Sequence, residues 1–350
     1  MTMETAKRSL RWTLTIGIVV LLVVAARSVN WTATWTAVRS ASLPLLIAAS
    51  LVNGISLIAK GAMWWMFLRP EGVQSLGLAL RATVAGSALN NLLVANSGEA
   101  ARVMFVSRRS GTPSSAVLAG LAMERLFDVL GYLVMLVGAA YLLRLPDAIR
   151  EWRTVAVVVL AILGVLLALL LRWSRRAATE TETSIASTTR MPRLRRYLGR
   201  FTSSVARMVT VPRFAAALTL SMASWVCQVA TYHLTAVSVH FPITVAGSVT
   251  TVITENLGFI VRATPGNIGL FQLVYALTAG MLGLSADNGV AVAFLIQALQ
   301  VIPITLLGVL LAPEFVLRGS VTGQRMRPTE EYRPRLDAKA ADPKRRARRL

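Results

Sequence analysis

The sequence has very little of the chemistry on which disulfide-bonded and metal-dependent proteins rely. Of its 350 residues one is cysteine, two are histidine and 15% are charged. Cys227 therefore has no partner for an internal disulfide or a cysteine metal site. His233 and His240 are seven residues apart, but no carboxylate or thiol stands at ligand spacing with them. We expect no metal ion and no cofactor.

Sequence motifs of known enzyme classes are also missing. No Ser-His-Asp arrangement and no zinc-protease motif occurs. The segment Pro265-Gly266-Asn267-Ile268-Gly269 is not followed by the Gly-Lys-Ser/Thr of a Walker loop. These absences make an enzyme the less favoured class.

Apolar residues are abundant instead, at 55% of the chain. This fraction is typical of an all-α polytopic membrane protein. We predict about eight transmembrane helices, at residues 12–26, 43–68, 115–143, 154–171, 214–239, 243–261, 266–284 and 289–312. The first run could be a cleaved signal peptide, since Val24-Ala25-Ala26 is an acceptable cleavage site, but we interpret it as an uncleaved span.

Positive charge predicts the orientation. The net charge is +21, and Lys and Arg cluster in residues 1–12, 172–213 and 318–350. The positive-inside rule places all three clusters in the cytoplasm, beside the head groups of a cell (inner) membrane. We expect no nucleic acid as a partner. The predicted organisation is a basic N-terminus 1–12, a transmembrane domain 13–317 and a disordered basic tail 318–350.

The topology depends on whether the apolar segment 76–96 crosses the membrane. Residues 172–213 stay cytoplasmic only if 76–96 enters and leaves on one side, so we predict a re-entrant segment there. The alternative is that another run fails to cross.

The breaks NNLLVANSGEAAR and ENLGFIVRATPGNIG resemble each other, which is compatible with a two-fold internal repeat. We interpret residues 174–200 as a flexible loop between the halves and 201–213 as an amphipathic interface segment.

Charged residues within apolar runs are the strongest functional signal, because each costs about 2.5–3.5 kcal/mol in a bilayer. Glu124 and Asp128 share one helix face, with Arg125 beside them. They form either a structural clamp to Arg102 or Arg108, or a site for a cation or a head-group amine.

Three further charged positions add to this signal. Glu255 is an isolated acid with structural, proton-relay and substrate-binding interpretations open. Ser97 is a candidate N-cap for a helix carrying Glu99 and Arg102. The position of Lys60 near the end of its run allows its side chain to snorkel to the interface.

Three blocks of this sequence resemble a known family. They are Gly98-Glu99-Ala100-Ala101-Arg102, the Glu-Arg-x-x-Asp helix from Glu124 to Asp128, and the turn from Thr264 to Gly269. Together they resemble the transmembrane region of lysylphosphatidylglycerol synthase, also called the flippase-like domain family. The chain departs from the family pattern at two places. The family usually has a proline where this chain has Ala95-Asn96-Ser97, and it often has Glu where this chain has Gln272. The resemblance implies the membrane part without the lysyl-transferring domain.

We therefore predict a flippase-like transporter that binds or moves a lipid head group through a polar cavity in the membrane. Its expected partners are membrane lipids with anionic or amine-bearing head groups, and a homo-oligomer is left open. The alternatives are a membrane-embedded enzyme or accessory subunit in lipid or polyprenyl-sugar synthesis, and a scaffold that recruits a soluble partner through its tail. The candidate substrate-binding residues are Asn90, Asn91, Glu99, Arg102, Glu124, Arg125, Asp128, Glu255, Asn256, Arg262, Thr264, Pro265, Gly266, Gly269 and Gln272.

Overall fold

The computed structural model of the protein describes residues 31–92, 97–143, 151, 153–184, 193–208, 210–258 and 267–316. All regular structure in these ranges is helical. The α-helices are α1 Trp31–Arg39, α2 Leu43–Leu68, α3 Leu76–Leu92, α4 Ser97–Ser110, α5 Ser114–Leu142, α6 Arg153–Ser184, α7 Arg193–Met208, α8 Val211–Ser238, α9 Val245–Gly258, α10 Leu270–Met281 and α11 Ala286–Val316. A 3₁₀ turn, Arg69–Glu71, follows α2.

Four segments are long and apolar enough to cross a membrane. They are Leu43–Glu71, Ser114–Leu142, Val211–Ser238 and Ala286–Leu311, of 26 to 29 residues each. At ~1.5 Å rise per residue each exceeds the ~30 Å hydrocarbon core of a bilayer. The protein is thus an all-helical, multi-pass membrane protein, as predicted.

The remaining apolar helices are shorter. The predicted spans 243–261 and 266–284 form α9 and α10, which have 14 and 12 residues. One crossing needs about 20 residues, which is more than the described part of either helix, and residues 259–266 between them lie outside the described residues. The predicted span 12–26 and the predicted tail 318–350 lie outside the described residues. The count of eight crossings stays a prediction.

Two pairs of short helices form antiparallel hairpins. In the α3/α4 hairpin the two backbones are in direct contact. A Cβ placed at Gly98 would collide with the carbonyl oxygen of Gly86. In the α9/α10 hairpin the hydroxyls of Thr254 and Thr278 are 2.8 Å apart. Glycine in the first hairpin and small hydroxyl residues in the second allow this close approach, as is common between membrane helices.

The long helices α2 and α8 run antiparallel along their whole length. At one end the Ser42 backbone N–H donates to the Ser238 carbonyl oxygen at 2.8 Å. In the middle the hydroxyls of Ser56 and Ser224 are 2.8 Å apart, and these serines stand at the same position of α2 and α8. The order long helix, hairpin, long helix therefore occurs twice, as α2 to α5 and as α8 to α11.

The segment between these halves differs from its prediction. Residues 174–200 were expected to form a flexible loop, but α6 continues to Ser184 and α7 begins at Arg193. Arg, Ala and Glu in this stretch are strong helix formers, and this outweighs its low hydrophobicity.

Helix α7, part of which was predicted as a membrane-interface segment, packs against the helical core. It buries Val205 and Met208 in a cluster with Met63 and Phe67. Its Arg207 guanidinium pairs with the Glu71 carboxylate at 2.8 Å. The amphipathic pattern predicted in this region thus covers a protein surface with its apolar side.

Candidate functional site

A polar cavity of about 190 Å³ lies among helices of both halves. It is bounded by α2, α3, α4 and α5 on one side and by α8 and α11 on the other. Its lining consists of Asn53, Ser56, Leu57, Lys60, Thr83, Ser87, Arg102, Glu124, Arg125, Gln228, Gln300 and Ile304. Ser56 and Gln300 stand near the middle of their long helices, so the cavity lies halfway along the bundle.

Arg102 and Glu124 form a buried ion pair in the cavity wall. The Arg102 Nη2 donates to Glu124 Oε2 at 2.7 Å, and the side chains are 5% and 4% exposed. The same nitrogen donates to the Thr83 hydroxyl at 3.1 Å, and the guanidinium stacks on Trp64 at 4.2 Å. The clamp from the Glu124 helix to Arg102 is therefore present.

The position of the Arg102 side chain depends on a glycine. A Cβ at Gly86 would overlap the Cγ of Arg102, so the side chain occupies the space that Gly86 leaves. The guanidinium thereby reaches across α3 to the Glu124 carboxylate of α5. Its Nε is buried and has no hydrogen-bond partner among the described residues.

The other two acids of the predicted cluster are paired as well. Glu99 accepts a hydrogen bond from Arg125 Nη2. Asp128 lies 3.3 Å from the Lys60 ammonium, which is farther than in a close charge-assisted hydrogen bond. The Lys60 side chain is 25% exposed and lies 5.5 Å from the Trp225 ring centroid.

The structure places Lys60, for which snorkelling was considered, beside a carboxylate. Its ammonium lines the cavity and faces Asp128 of α5 instead of the interface. The stabilisation available from a carboxylate on a neighbouring helix outweighs that from distant head groups. The wall of the cavity therefore carries three cations, Lys60, Arg102 and Arg125, and one acid, Glu124.

Asn90 and Asn91 fix the first hairpin rather than lining the cavity. The Asn90 side-chain oxygen accepts the backbone N–H of Gly98 at 2.8 Å and so caps the start of α4. The Ser97 hydroxyl, predicted as this cap, makes no hydrogen bond within the described part of the chain. Asn91 Nδ2 donates to the Thr305 hydroxyl of α11 at 3.4 Å.

The described candidate residues of the second half are not among those that line the cavity. Gln272 Oε1 accepts the backbone N–H of Gly269 at 2.7 Å, and its Nε2 donates to Gln297 at 2.5 Å. Gly269 has φ +89°, a conformation that glycine adopts without strain. Asn256 Nδ2 donates to the carbonyl oxygen of Val252 in its own helix at 2.8 Å.

Glu255 also lies away from the cavity lining. Its side chain is fully buried on α9, where Tyr232 and Tyr275 interact electrostatically with it. The predicted residues Arg262, Thr264, Pro265 and Gly266 lie outside the described residues.

No metal centre is evident in the ranges that the structure describes. They contain no group of three or more His, Cys, Asp or Glu residues arranged to hold an ion. His233 Nδ1 lies 3.1 Å from the hydroxyl of Ser248.

Sequence reasoning missed the neutral part of the cavity wall. Its amides and hydroxyls come from helices whose apolar pattern they do not interrupt, and such residues are common in membrane helices. Only the structure shows that these residues meet at one cavity, which distinguishes them from other polar residues of the helices. They are Asn53, Ser56, Thr83, Ser87, Gln228 and Gln300.

Comparison with known proteins identifies one family. The model of the family described as Lysylphosphatidylglycerol synthase TM region matches residues 12–308. This range includes both hairpins and every residue that lines the cavity. No curated protein and no solved structure matches the chain.

Proposed function

Because the chain belongs to the lysylphosphatidylglycerol synthase transmembrane-region family, we propose that it binds a phosphate-bearing lipid head group in the cavity and moves the lipid between leaflets. The observation that carries this proposal is the convergence of three cations, Lys60, Arg102 and Arg125, on a polar cavity halfway along the long helices. Phosphate is the anionic group common to membrane lipids, and Arg and Lys bind it through charge-assisted hydrogen bonds. The family supports a role in lipid metabolism or lipid movement.

The size of the cavity fits a head group without its acyl chains. A volume of about 190 Å³ is below the ~300–1,000 Å³ of pockets that enclose a whole drug-sized ligand. Acyl chains gain nothing by entering a polar cavity and would remain in the hydrocarbon. The lipid would therefore pass with only its polar end enclosed.

Lys60 is the cation best placed to bind the substrate. The guanidinium of Arg102 is held by Glu124 and Thr83, and that of Arg125 by Glu99. The ion-pair contact of Lys60, to Asp128, is longer at 3.3 Å. A phosphate would replace Asp128 as the partner of Lys60, and Asp128 would then be free to accept an amine of the head group.

The arrangement of the halves supports a topology with six crossings and two re-entrant hairpins. The first predicted span, α2, α5, α6, α8 and α11 would cross, with both termini in the cytoplasm of a cell (inner) membrane. Since α2 and α8 are antiparallel, α3/α4 would enter from the cytoplasmic side and α9/α10 from the opposite side. The basic segment 172–213 stays cytoplasmic, as the positive-inside rule requires.

Such inverted repeats favour a transporter. Many transporters bind their substrate midway through the membrane, between two halves of opposite orientation. Broken or short helices at equivalent places in the halves surround the substrate. Movement of one half against the other would then expose the cavity to each leaflet in turn.

Lipid movement in liposomes tests the proposal. Purified protein is reconstituted with fluorescent phospholipids whose head groups are anionic, zwitterionic or lysine-bearing, and dithionite reports the inner-leaflet fraction. We expect the protein to accelerate movement of at least one class and Lys60→Gln to slow it by about tenfold or more, as for loss of one charged contact. Arg39→Gln, which removes an exposed cation of α1, is the matched control and should have no effect.

Two outcomes would contradict the proposal. One is that no lipid moves faster than in empty liposomes although the protein is folded. The other is that Lys60→Gln and Arg39→Gln behave alike. The first would direct attention to an enzyme or accessory subunit in lipid or polyprenyl-sugar synthesis, to be assayed by product formation from candidate lipids.

A further inference from the structure

Glu255 is a buried acid whose hydrogen-bonding capacity is unused. Its side chain is 0% exposed, and neither carboxylate oxygen has a hydrogen-bond partner among the described residues. No salt bridge within those residues includes it. Among the described residues an ionised carboxylate in this position has no counter-charge, and its loss of hydration would cost several kcal/mol.

The helices that pack around Glu255 offer hydroxyls and one imidazole. Tyr232 of α8 and Tyr275 of α10 interact with it electrostatically. On α5, the Tyr132 hydroxyl donates to the carbonyl oxygen of Ile253 at 3.0 Å. His233 of α8 lies beside Ser248 of α9, two turns before Glu255. None of these groups carries a fixed positive charge.

The equivalent place in the first half is built differently. Gly86 and Glu255 stand at the same position of α3 and α9, and Arg102 and Tyr275 at the same position of α4 and α10. In the first hairpin glycine makes room for a cation, and that cation is neutralised by Glu124. In the second hairpin Glu255 occupies the position equivalent to Gly86, and Tyr275 occupies the position equivalent to Arg102.

We propose that the Glu255 carboxyl is a proton-binding site and that its proton drives lipid movement. Taking up H⁺ from water forms one O–H bond and converts the carboxylate into a neutral carboxyl, which tolerates the apolar interior. Release returns the proton to water when the α9/α10 hairpin is hydrated. Proton binding stands on the burial and surroundings of Glu255 alone, whereas its coupling to transport rests on the function proposed above.

Infrared spectroscopy tests proton binding directly. Purified wild-type protein in lipid at near-neutral pH should show the C=O stretch of a protonated carboxyl group, and Glu255→Gln should lose it. Glu151→Gln, which removes an exposed acid from the connection after α5, should keep the band. If Glu255→Gln does not fold, Glu255→Asp assigns the band by shifting its frequency.

Two spectroscopic outcomes would overturn the proposal. A wild-type spectrum without a protonated-carboxyl band at near-neutral pH would mean that Glu255 is ionised. A band that survives Glu255→Gln unchanged would belong to another residue. Neither result depends on whether the protein moves lipid.

An imposed pH gradient tests the coupling. In proteoliposomes the gradient should accelerate lipid movement by the wild type, and Glu255→Gln should reduce this gradient-driven part by about tenfold or more. Arg39→Gln, the exposed control, should retain the full gradient-driven part. A wild type that moves lipid at the same rate with and without the gradient would overturn the coupling. A wild type with the band but without lipid movement would leave the proton site standing and reject the transport function.

Discussion

At the scale of single residues, the buried ion pair of Arg102 and Glu124 is costly to break although it adds little net stability. Arg102 and Glu124 are both almost fully removed from water, so their attraction is largely offset by the loss of hydration. The pair therefore adds little net stability over an apolar equivalent. Removing one member, however, leaves an uncompensated charge in the interior.

This asymmetry gives a stability prediction. Arg102→Met should lower the free energy of unfolding by about 3–5 kcal/mol, because Glu124 would lose its partner. The double variant Arg102→Met/Glu124→Leu should recover most of that loss. Denaturant unfolding of purified protein in detergent, followed by circular dichroism, measures both values. Wild-type stability in the single variant would mean that Arg102 is not needed as a clamp.

The sequence was most informative about the residues that violate the apolar pattern. Glu124, Asp128 and Arg102 are conspicuous because charges are rare in such runs, and the structure places all three in ion pairs. The partner of Lys60 could not be predicted, since it depends on which helices meet. The same holds for Gln228 and Gln300, which become part of a site only by convergence.

At the scale of elements, close contact between backbones holds the α3/α4 hairpin together. Gly98→Ala would force a methyl group against the carbonyl oxygen of Gly86. We expect a loss of about 1–3 kcal/mol, typical of overpacking. Gly54→Ala in α2 is the matched control, because a Cβ there meets nothing within 4 Å.

Thermal unfolding in detergent distinguishes these glycine variants. The control should be neutral or more stable by up to about 1 kcal/mol, the difference in helix propensity between alanine and glycine. Equal midpoints for Gly98→Ala and wild type would show that the two helices separate easily.

Apolar composition alone did not predict how long each described helix is. Residues 43–68 form one long helix, whereas the similarly apolar 243–261 and 266–284 form the short helices α9 and α10. Both kinds of segment bury apolar side chains, so composition is similar. The difference lies in the length of the described helices, which hydropathy does not record.

At the scale of the whole molecule, the opposed halves lead to a topology prediction. Ile268, exposed at the start of α10, would be cytoplasmic if 243–261 and 266–284 both crossed, but within the membrane if α9/α10 is re-entrant. In a Cys227→Ala background, Ile268→Cys should therefore resist an impermeant maleimide added from the cytoplasmic side.

Two reference positions calibrate this labelling. Tyr197→Cys on α7 should react only from the cytoplasmic side, and Val245→Cys at the start of α9 only from the opposite side; both residues are exposed. Labelling of Ile268→Cys from the cytoplasm as fast as Tyr197→Cys would reject the hairpin arrangement in favour of eight crossings.

The contact between Ser56 and Ser224 bears on how such a chain could arise. Each serine meets its positional counterpart, as residues on the axis of a two-fold symmetric dimer do. An ancestor of half the length, inserted in the membrane in both orientations, would have made this contact between two copies of one serine. Gene duplication and fusion would then have allowed one copy to keep the ion pair of Arg102 while the other acquired Glu255.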